Sequence, residues 1–363
     1  MYTMAVNIAI NGFGRVGRLV FSKLLGDKTF EIAAINDSVK PDILAYLLKY
    51  ETSQGFPPNL VDSGPDFISL RGKKIKVFAE TDPAGLPWKR LKVDVVLDCT
   101  GRAALKEQAA AHLAAGAKKV LLTPPAVDYT AYTGLDTPFP AIVYGINEKT
   151  IAPADRIVFA ASPALSSLAP LVKALNAFAP IQSAIINAEK GAGGMDGKAV
   201  AAALGRLFPE LQGRLAGSAL ALGTGSAALI AAVVKGRHIS PETLNRALNT
   251  QGGSPGPVIP VGEELFQVQI AAPCDTEASY AVQVVKTLKY FAELKAGPAR
   301  PGAKAPAAKP AVGGNSAAKP GALKPIVPGT TKSRAAKKGE KPAGGAKPAD
   351  PALPRKPLIN FPK

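Results

Sequence analysis

Hydrophobic and polar positions are arranged in two distinct ways along the N-terminal part of the chain. Short, nearly continuous apolar runs at residues 8–10, 93–101 and 119–123 are typical of strands buried inside a parallel sheet. Elsewhere apolar residues recur every three or four positions, as at residues 14–25 and 41–50, which is the spacing of amphipathic helices. This alternation predicts an α/β fold with a Rossmann-type doubly wound parallel sheet.

Weaker patterns complete this part of the fold. Gly72 and Lys73 are flanked by alternating apolar positions, which predicts a hairpin turn. Near the other end of the sequence, apolar residues at helical spacing predict a helix from Thr276 to Leu294 that docks back onto the first domain. The remaining predicted elements are strands at residues 31–37, 66–80 and 141–145 and an alanine-rich helix at residues 103–115.

The first strand leads directly into three glycines and then a helix. Gly12, Gly14 and Gly17 have the GxGxxG spacing: one glycine for a tight turn, one for close approach to a pyrophosphate and one for helix-on-strand packing. Such a segment can also be only a turn. Asp37, however, ends the second strand twenty residues beyond Gly17, where a carboxylate accepts the ribose hydroxyls of NAD and repels the 2′-phosphate of NADP.

Charge is concentrated at the C-terminal end. Residues 296–363 contain eleven Lys and three Arg against Glu340 and Asp350, a net charge of +12, whereas the whole chain carries +17. This segment is rich in Ala, Pro, Gly and Lys, a composition that predicts disorder. Its lysines could bind nucleic acid or another polyanion, or the segment could be a solubilising extension.

Cysteine and targeting patterns exclude several classes of protein. Cys99 and Cys274 do not make a disulfide framework, and the sequence has no CxxC motif or His/Cys cluster, so no metal site is expected. The first thirty residues lack the pattern of a secretory signal, and no apolar run is long enough to span a bilayer. We therefore expect a cytoplasmic protein.

Several motifs in order resemble the NAD-binding half of glyceraldehyde-3-phosphate dehydrogenase. The resemblance is close over the first 150 residues and fainter to about residue 295. The motifs are NGFGRVGR at residues 11–18, IND at 35–37, LAYLLKY at 44–50, LPWK at 86–89, CTG at 99–101 and YGIN at 144–147.

The resemblance implies NAD as the cofactor and a role for each matched residue. Asp37 would bind the adenosine ribose, Thr100 and Gly101 would lie beside the cofactor, and Thr276 would take the place of an asparagine that holds the nicotinamide carboxamide. The glycine loop around the pyrophosphate would comprise Gly12, Phe13, Gly14, Arg15 and Val16.

The catalytic half departs from the family pattern. Pro163 occupies the place of the cysteine nucleophile, and Glu189 the place of the histidine that activates it. A carboxylate could act as a general base only if its pKa were raised. Ala221 replaces the arginine that binds the substrate phosphate, and the loop at residues 190–197 is shortened, which makes the family's tetramer doubtful although a homo-oligomer stays open.

These features predict four segments and leave three functions open. The favoured function is an NAD-binding pseudoenzyme; the alternatives are an oxidoreductase acting on another substrate, with Cys99 or Cys274 as a replacement nucleophile or with none, and a binder of nucleic acid or another anionic partner. His112 and His238 are expected on the surface. The segments are an NAD-binding domain at 1–150, a reduced, degenerate α+β catalytic-type domain at 151–275, a C-terminal helix at 276–295 and a disordered basic tail at 296–363.

Overall fold

The computed structural model describes eight stretches of the chain, which form two sheets and the helices packed on them. The strands of the first sheet alternate with helices along the chain, and the strands of the second sheet follow them in sequence. The stretches are residues 5–50, 56–101, 105–123, 141–189, 197–220, 227–248, 253–273 and 277–294. Residues 296–363, the predicted tail, lie outside them.

The first sheet is parallel except at one edge. Its strands lie in the order β3-β4-β5-β2-β1-β6-β7-β9-β8, with antiparallel pairing only between β3, β4 and β5. This arrangement confirms the predicted Rossmann-type fold class. The strands are β1 (Val6–Asn11), β2 (Phe30–Asn36), β3 (Val61–Gly64), β4 (Phe67–Leu70), β5 (Lys73–Phe78), β6 (Val95–Asp98), β7 (Lys119–Leu122), β8 (Ala141–Ile142) and β9 (Ile157–Ala160); the helices are α1 (Arg15–Leu24), α2 (Pro41–Tyr50) and α3 (Leu105–Ala114).

Two details of this sheet differ from prediction. The hairpin turns at Arg71 and Gly72, one residue earlier than expected, because both have positive φ angles, +50° and +80°, as a two-residue hairpin turn requires. The strand expected at residues 141–145 ends at Ile142. Its backbone is diverted because the Asn147 side chain accepts from the Val143 N–H (2.8 Å) and donates to the Ala141 carbonyl (2.9 Å).

The second sheet has helices on one face. Its order is β11-β10-β12-β14-β13, and β10 and β11 are its parallel pair. Alternate residues of its three central strands form a buried core with the helices. The strands are β10 (Ile181–Glu189), β11 (Leu215–Leu220), β12 (Ala227–Lys235), β13 (Ser254–Pro260) and β14 (Leu265–Pro273); the helices are α4 (Pro163–Phe178), α5 (Gly197–Leu207) and α6 (Pro241–Leu248).

The last helix, α7 (Glu277–Glu293), returns to the core of the first sheet. Ala281, Val284, Leu288 and Phe291 are fully buried there, as their helical spacing predicts. Lys119 Nζ donates to the carbonyl oxygens of Phe291 and Leu294 at 2.6 Å, which satisfies acceptors at the C-terminal end of the helix. The predicted domain boundaries stay predictions, although β9, after residue 150, pairs within the first sheet.

Within the described stretches, no helix combines the length and the apolar character needed to cross a membrane. The same stretches bring together no group of three or more His, Cys, Asp or Glu side chains suited to a metal ion.

Candidate functional site

The carboxyl ends of three neighbouring parallel strands form the candidate site. In the middle of the first sheet β1 lies between β2 and β6, and the last residue of β1, Asn11, is paired with Asn36 on one side and Asp98 on the other. The predicted cofactor residues Gly12 and Asp37 directly follow two of these strand ends. Ligands of open α/β sheets bind at this edge, so the structure brings the predicted residues together where a dinucleotide would lie.

The three glycines have different surroundings. Gly12 has φ +88°, and a Cβ atom there would lie 2.7 Å from the Thr100 backbone nitrogen. A Cβ on Gly17 would lie 2.3 Å from the Gly12 carbonyl oxygen, because helix α1 packs against the end of β1 at that point. A Cβ on Gly14 would meet no protein atom within 4 Å. Gly12 and Gly17 are thus required by packing, whereas Gly14 faces open space.

Helix α1 begins directly after this turn. Gly14 is its N-cap and, being glycine, supplies no side-chain hydrogen bond to the first turn. The positive end of the helix dipole therefore faces the open space beside Gly14, an arrangement that favours a phosphate. The Phe13 side chain is fully buried against Phe21, with ring centroids 5.2 Å apart, so Phe13 could contact a ligand only through its backbone.

Asp37 is held in place by two backbone donors. Its Oδ2 atom accepts from the Phe13 N–H at 2.6 Å, and its Oδ1 atom accepts from the Val39 N–H at 2.9 Å. A carboxylate offers about four acceptor positions, so both oxygens can still accept a ribose hydroxyl. The first of these bonds also ties Asp37 to the glycine turn and so fixes the position of its carboxylate relative to that turn.

Thr100 and Gly101 follow β6 on the other side of the turn. The Thr100 side chain and its backbone N–H both donate to Asp98 Oδ1, at 2.7 Å and 2.9 Å. Gly101 has φ +64°, which lets the chain bend away from the sheet. Thr100 is therefore oriented by Asp98, a residue that the sequence analysis did not single out as functional.

Cys99 lies beside Thr100 but does not have the properties of a nucleophile. The residue as a whole is half-buried, yet its thiol pKa is raised to about 12, chiefly by burial and in part by the Asp98 charge, against the effect of a hydrogen bond from Thr123. Because the thiolate is the reactive form, this thiol is inert near neutral pH.

The prediction that His112 lies on the surface is wrong. Its side chain is fully buried, and its Nδ1 atom lies 2.9 Å from the Trp88 indole nitrogen. No hydrophobic pattern indicates this burial, because α3 shows almost no separation of apolar and polar faces. His238, by contrast, is exposed as expected.

The catalytic-type positions are only partly described. Pro163 is the first residue of α4, and the preceding Ser162 caps the helix by accepting from the Leu165 N–H at 2.9 Å. Glu189 is the last residue of β10. Ala221, Cys274 and Thr276 lie outside the described residues, so their predicted roles stay predictions.

Strand-end polar residues were the signal that sequence reasoning missed. Asn11, Asn36 and Asp98 each end a mostly apolar strand and are buried, at 4%, 5% and 0% exposed. Buried polar residues at the carboxyl ends of parallel strands mark a ligand crevice. Together with the glycine turn and Asp37, they define a dinucleotide-binding α/β protein, and the open space at Gly14 and the uncapped helix fit a pyrophosphate.

Comparison with known proteins narrows this class. Residues 6–106 match the family model described as "Glyceraldehyde 3-phosphate dehydrogenase, NAD binding domain". Glyceraldehyde-3-phosphate dehydrogenase of Mycoplasma pneumoniae is 44% identical over 170 residues, a match that spans 47% of this chain and 48% of that protein. The enzymes of Clostridium acetobutylicum and Clostridium pasteurianum are each 32% identical over 341 residues, covering 79% of this chain and 98% of theirs.

The chain belongs to the glyceraldehyde-3-phosphate dehydrogenase family, and its cofactor is NAD. The family's NAD-binding domain coincides with the part of the first sheet that builds the glycine turn, Asp37 and Thr100.

Proposed function

We propose that the protein binds NAD without catalysing the phosphorylating dehydrogenation of glyceraldehyde-3-phosphate. The observation that carries this proposal is the contrast between a complete glycine cradle and Pro163, which stands at the helix start where the family places its cysteine nucleophile. The cradle would hold the cofactor, but a proline side chain has no atom that can attack an aldehyde.

In this proposal each predicted residue contributes one contact to NAD. The backbone from Gly12 to Val16 and the start of α1 bind the pyrophosphate, and Asp37 accepts the adenosine ribose hydroxyls. Thr100 and Gly101 lie along the nicotinamide side, where the family resemblance also gives Thr276 a predicted role. Bound NAD supplies a hydride acceptor, so any oxidation would depend on groups that can activate a substrate beside it.

In this proposal neither Ser162 nor Cys99 replaces the missing nucleophile. Ser162 is 7% exposed, and its hydroxyl oxygen accepts the Leu165 N–H as a helix cap. Cys99 keeps its proton because burial raises the pKa of its thiol to about 12. Pro163 itself is well suited to the first helical position, since its missing N–H is not needed there. The N-terminus of α4 therefore forms as a capped helix start, but it carries no nucleophile at position 163.

The test combines an NAD titration with a turnover assay. Calorimetry should show stoichiometric NAD binding by the full chain, and incubation with glyceraldehyde-3-phosphate, phosphate and NAD should produce no NADH. Gly14→Ala is the binding control, because its Cβ would meet no protein atom within 4 Å and would obstruct the ligand instead. The absence of heat from the parent protein would refute the binding proposal, and steady NADH production that saturates with substrate would refute the pseudoenzyme proposal.

An active dehydrogenase with another substrate is the alternative. Direct hydride transfer from an alcohol needs no covalent intermediate, so retention of the cradle is compatible with it. NADH formation across a panel of aldehydes and alcohols would reveal such an activity. Loss of that activity in Cys99→Ser or Cys274→Ser would show whether a thiol takes part.

A second proposed property concerns polyanion binding by residues 296–363. The net charge of +12 on this segment, against about +5 on the rest of the chain, favours a polyanionic partner such as nucleic acid. Gel shifts of the full chain and of a chain ending at residue 295 should differ, with binding by the full chain weakening steeply as salt rises. Equal binding by both chains would rule out the segment as the binding element.

A further inference from the structure

Three cofactor segments of the site are each preceded by a buried polar residue, and these residues are bonded to one another. Asn11 precedes Gly12, Asn36 precedes Asp37, and Asp98 lies two residues before Thr100. Asn36 Nδ2 donates to Asn11 Oδ1 at 2.7 Å, and Asn11 Nδ2 donates to Asp98 Oδ2 at 3.1 Å. One connected network of hydrogen bonds, which we call the strand-end layer, therefore supports the glycine turn, Asp37 and the loop that carries Thr100.

Asp98 is the centre of this layer. Its Oδ1 atom accepts both donors of Thr100, and its Oδ2 atom accepts from Asn11 and lies 3.4 Å from His112 Nε2. Burial alone would raise the pKa of Asp98, but the hydrogen bonds from His112 and Thr100 outweigh burial and lower it. The carboxylate therefore stays ionised although it is fully buried, and its four acceptor positions are used.

His112 is oriented from the opposite side by Trp88. The indole N–H of Trp88 can only donate, so His112 Nδ1, 2.9 Å away, must be the acceptor. A neutral ring then carries its hydrogen on Nε2, which faces Asp98. Trp88 and His112 are both fully buried. Trp88 thus selects the His112 tautomer that donates to Asp98.

We propose that His112 is a positioning residue for the NAD site: held by Trp88, it fixes Asp98, which in turn fixes Thr100 and the Asn11–Gly12 turn in the arrangement that receives the cofactor. This inference rests on the proposed binding of NAD by the cradle. His112 is on α3, outside the strand ends, and within the described residues its Nε2 atom contacts Asp98 and Asn11 rather than a predicted cofactor residue. Its effect on binding is therefore transmitted through Asp98 and Asn11.

The test compares two substitutions of His112 with a matched change elsewhere. Leucine at position 112 fills the space but leaves the Trp88 N–H and one Asp98 acceptor position without a partner, whereas glutamine keeps one donor and one acceptor. Leu24→Ala is the control, because Leu24 is 2% exposed at the far end of α1 and bears on stability alone. The melting temperatures of all variants show how much of any loss of NAD affinity accompanies a loss of stability.

We expect His112→Leu to raise the NAD Kd by calorimetry about tenfold or more. His112→Gln should stay within about threefold of the parent, and Leu24→Ala should lower the melting temperature without changing the NAD Kd. Parent-like binding by His112→Leu would overturn the proposal, as would equal weakening by Leu24→Ala. If His112→Leu does not fold, Trp88→Phe, which releases His112 Nδ1, is measured instead and should also weaken binding.

Trp88 provides a readout that general stability would not move, because it is the chain's single tryptophan. Saturating NAD should change its fluorescence in the parent with the midpoint found by calorimetry, and the change should be lost in His112→Leu. A parent that binds NAD with no change at Trp88 would contradict the proposed link. A parent that gives no heat with NAD would instead refute the cofactor proposal itself.

Discussion

Gly14 is the N-cap of α1 and Gly17 lies three positions later, inside the helix, and the two residues face different atoms. Gly14 faces open space beside the start of α1, whereas Gly17 faces the Gly12 carbonyl oxygen at packing distance. An added methyl group at Gly14 could collide only with a ligand, and one at Gly17 collides with the protein backbone. A substitution at Gly14 therefore tests NAD affinity, whereas a substitution at Gly17 tests the free energy of unfolding.

We expect Gly14→Ala to weaken NAD binding about tenfold while lowering the free energy of unfolding by about 1 kcal/mol or less. Gly17→Ala should lower the free energy of unfolding by about 1–3 kcal/mol, because the clashing carbonyl belongs to the backbone and cannot rotate away. Calorimetry and urea denaturation of both variants test this. Unchanged NAD affinity in Gly14→Ala would mean that the cofactor does not approach this turn.

The negative charge of Asp37 is expected to select NAD over NADP. Asp37→Asn keeps the size of the side chain and one acceptor for the Phe13 or Val39 N–H, but removes the charge that repels a 2′-phosphate. The ratio of the NADP Kd to the NAD Kd should fall about tenfold or more. Titrations with both cofactors measure it, and an unchanged ratio would show that another group makes the discrimination.

Helix α4 gives position 163 the environment of a helix N-terminus. Position 163 is its first residue, so a thiol placed there would lie in the positive end of a sixteen-residue helix. We expect Pro163→Cys, in a Cys274→Ser background, to have a thiol pKa below the ordinary value of about 8.5. The pH dependence of alkylation measures it, with Lys173→Cys in the middle of the same helix as the control. Equal thiol pKa values at the two positions would contradict this prediction.

Helices and strands with strong periodic patterns could be predicted from the sequence, whereas the hydrogen bonds between their buried polar side chains could not. The glycine spacing predicted the turn because Gly12 and Gly17 are required by packing, whereas the role of Asp37 toward the cofactor stays a prediction. The role of His112 depends on Trp88, which is twenty-four positions away and meets it only after folding. The strand at 141–145 was overestimated for a similar reason, since Asn147 ends it through side-chain bonds that no hydrophobic pattern records.

The second sheet has one face covered by helices and one face that carries apolar residues without a described partner. On the helix-free face, Ile185 is paired with Ala231 and Ile259 with Gln267, and Val233 shares the row of the second pair. Ile185 and Ile259 are each 48% exposed. These rows combine apolar side chains with uncharged polar ones, which is typical of a surface that associates with another protein surface.

We expect this face to join two copies of the chain, because the rows of Ile185 and Ile259 are uncharged and can pack against a second copy as sheets pack in a sandwich. Ile185→Lys would bury a charge from each copy in that interface and should shift the full chain from dimer to monomer in sedimentation velocity. Leu25→Lys is the control, since Leu25 is 37% exposed at the end of α1, and should leave the dimer intact. A parent protein that sediments as a monomer at all concentrations, or a dimer that persists in Ile185→Lys, would exclude this face as the interface.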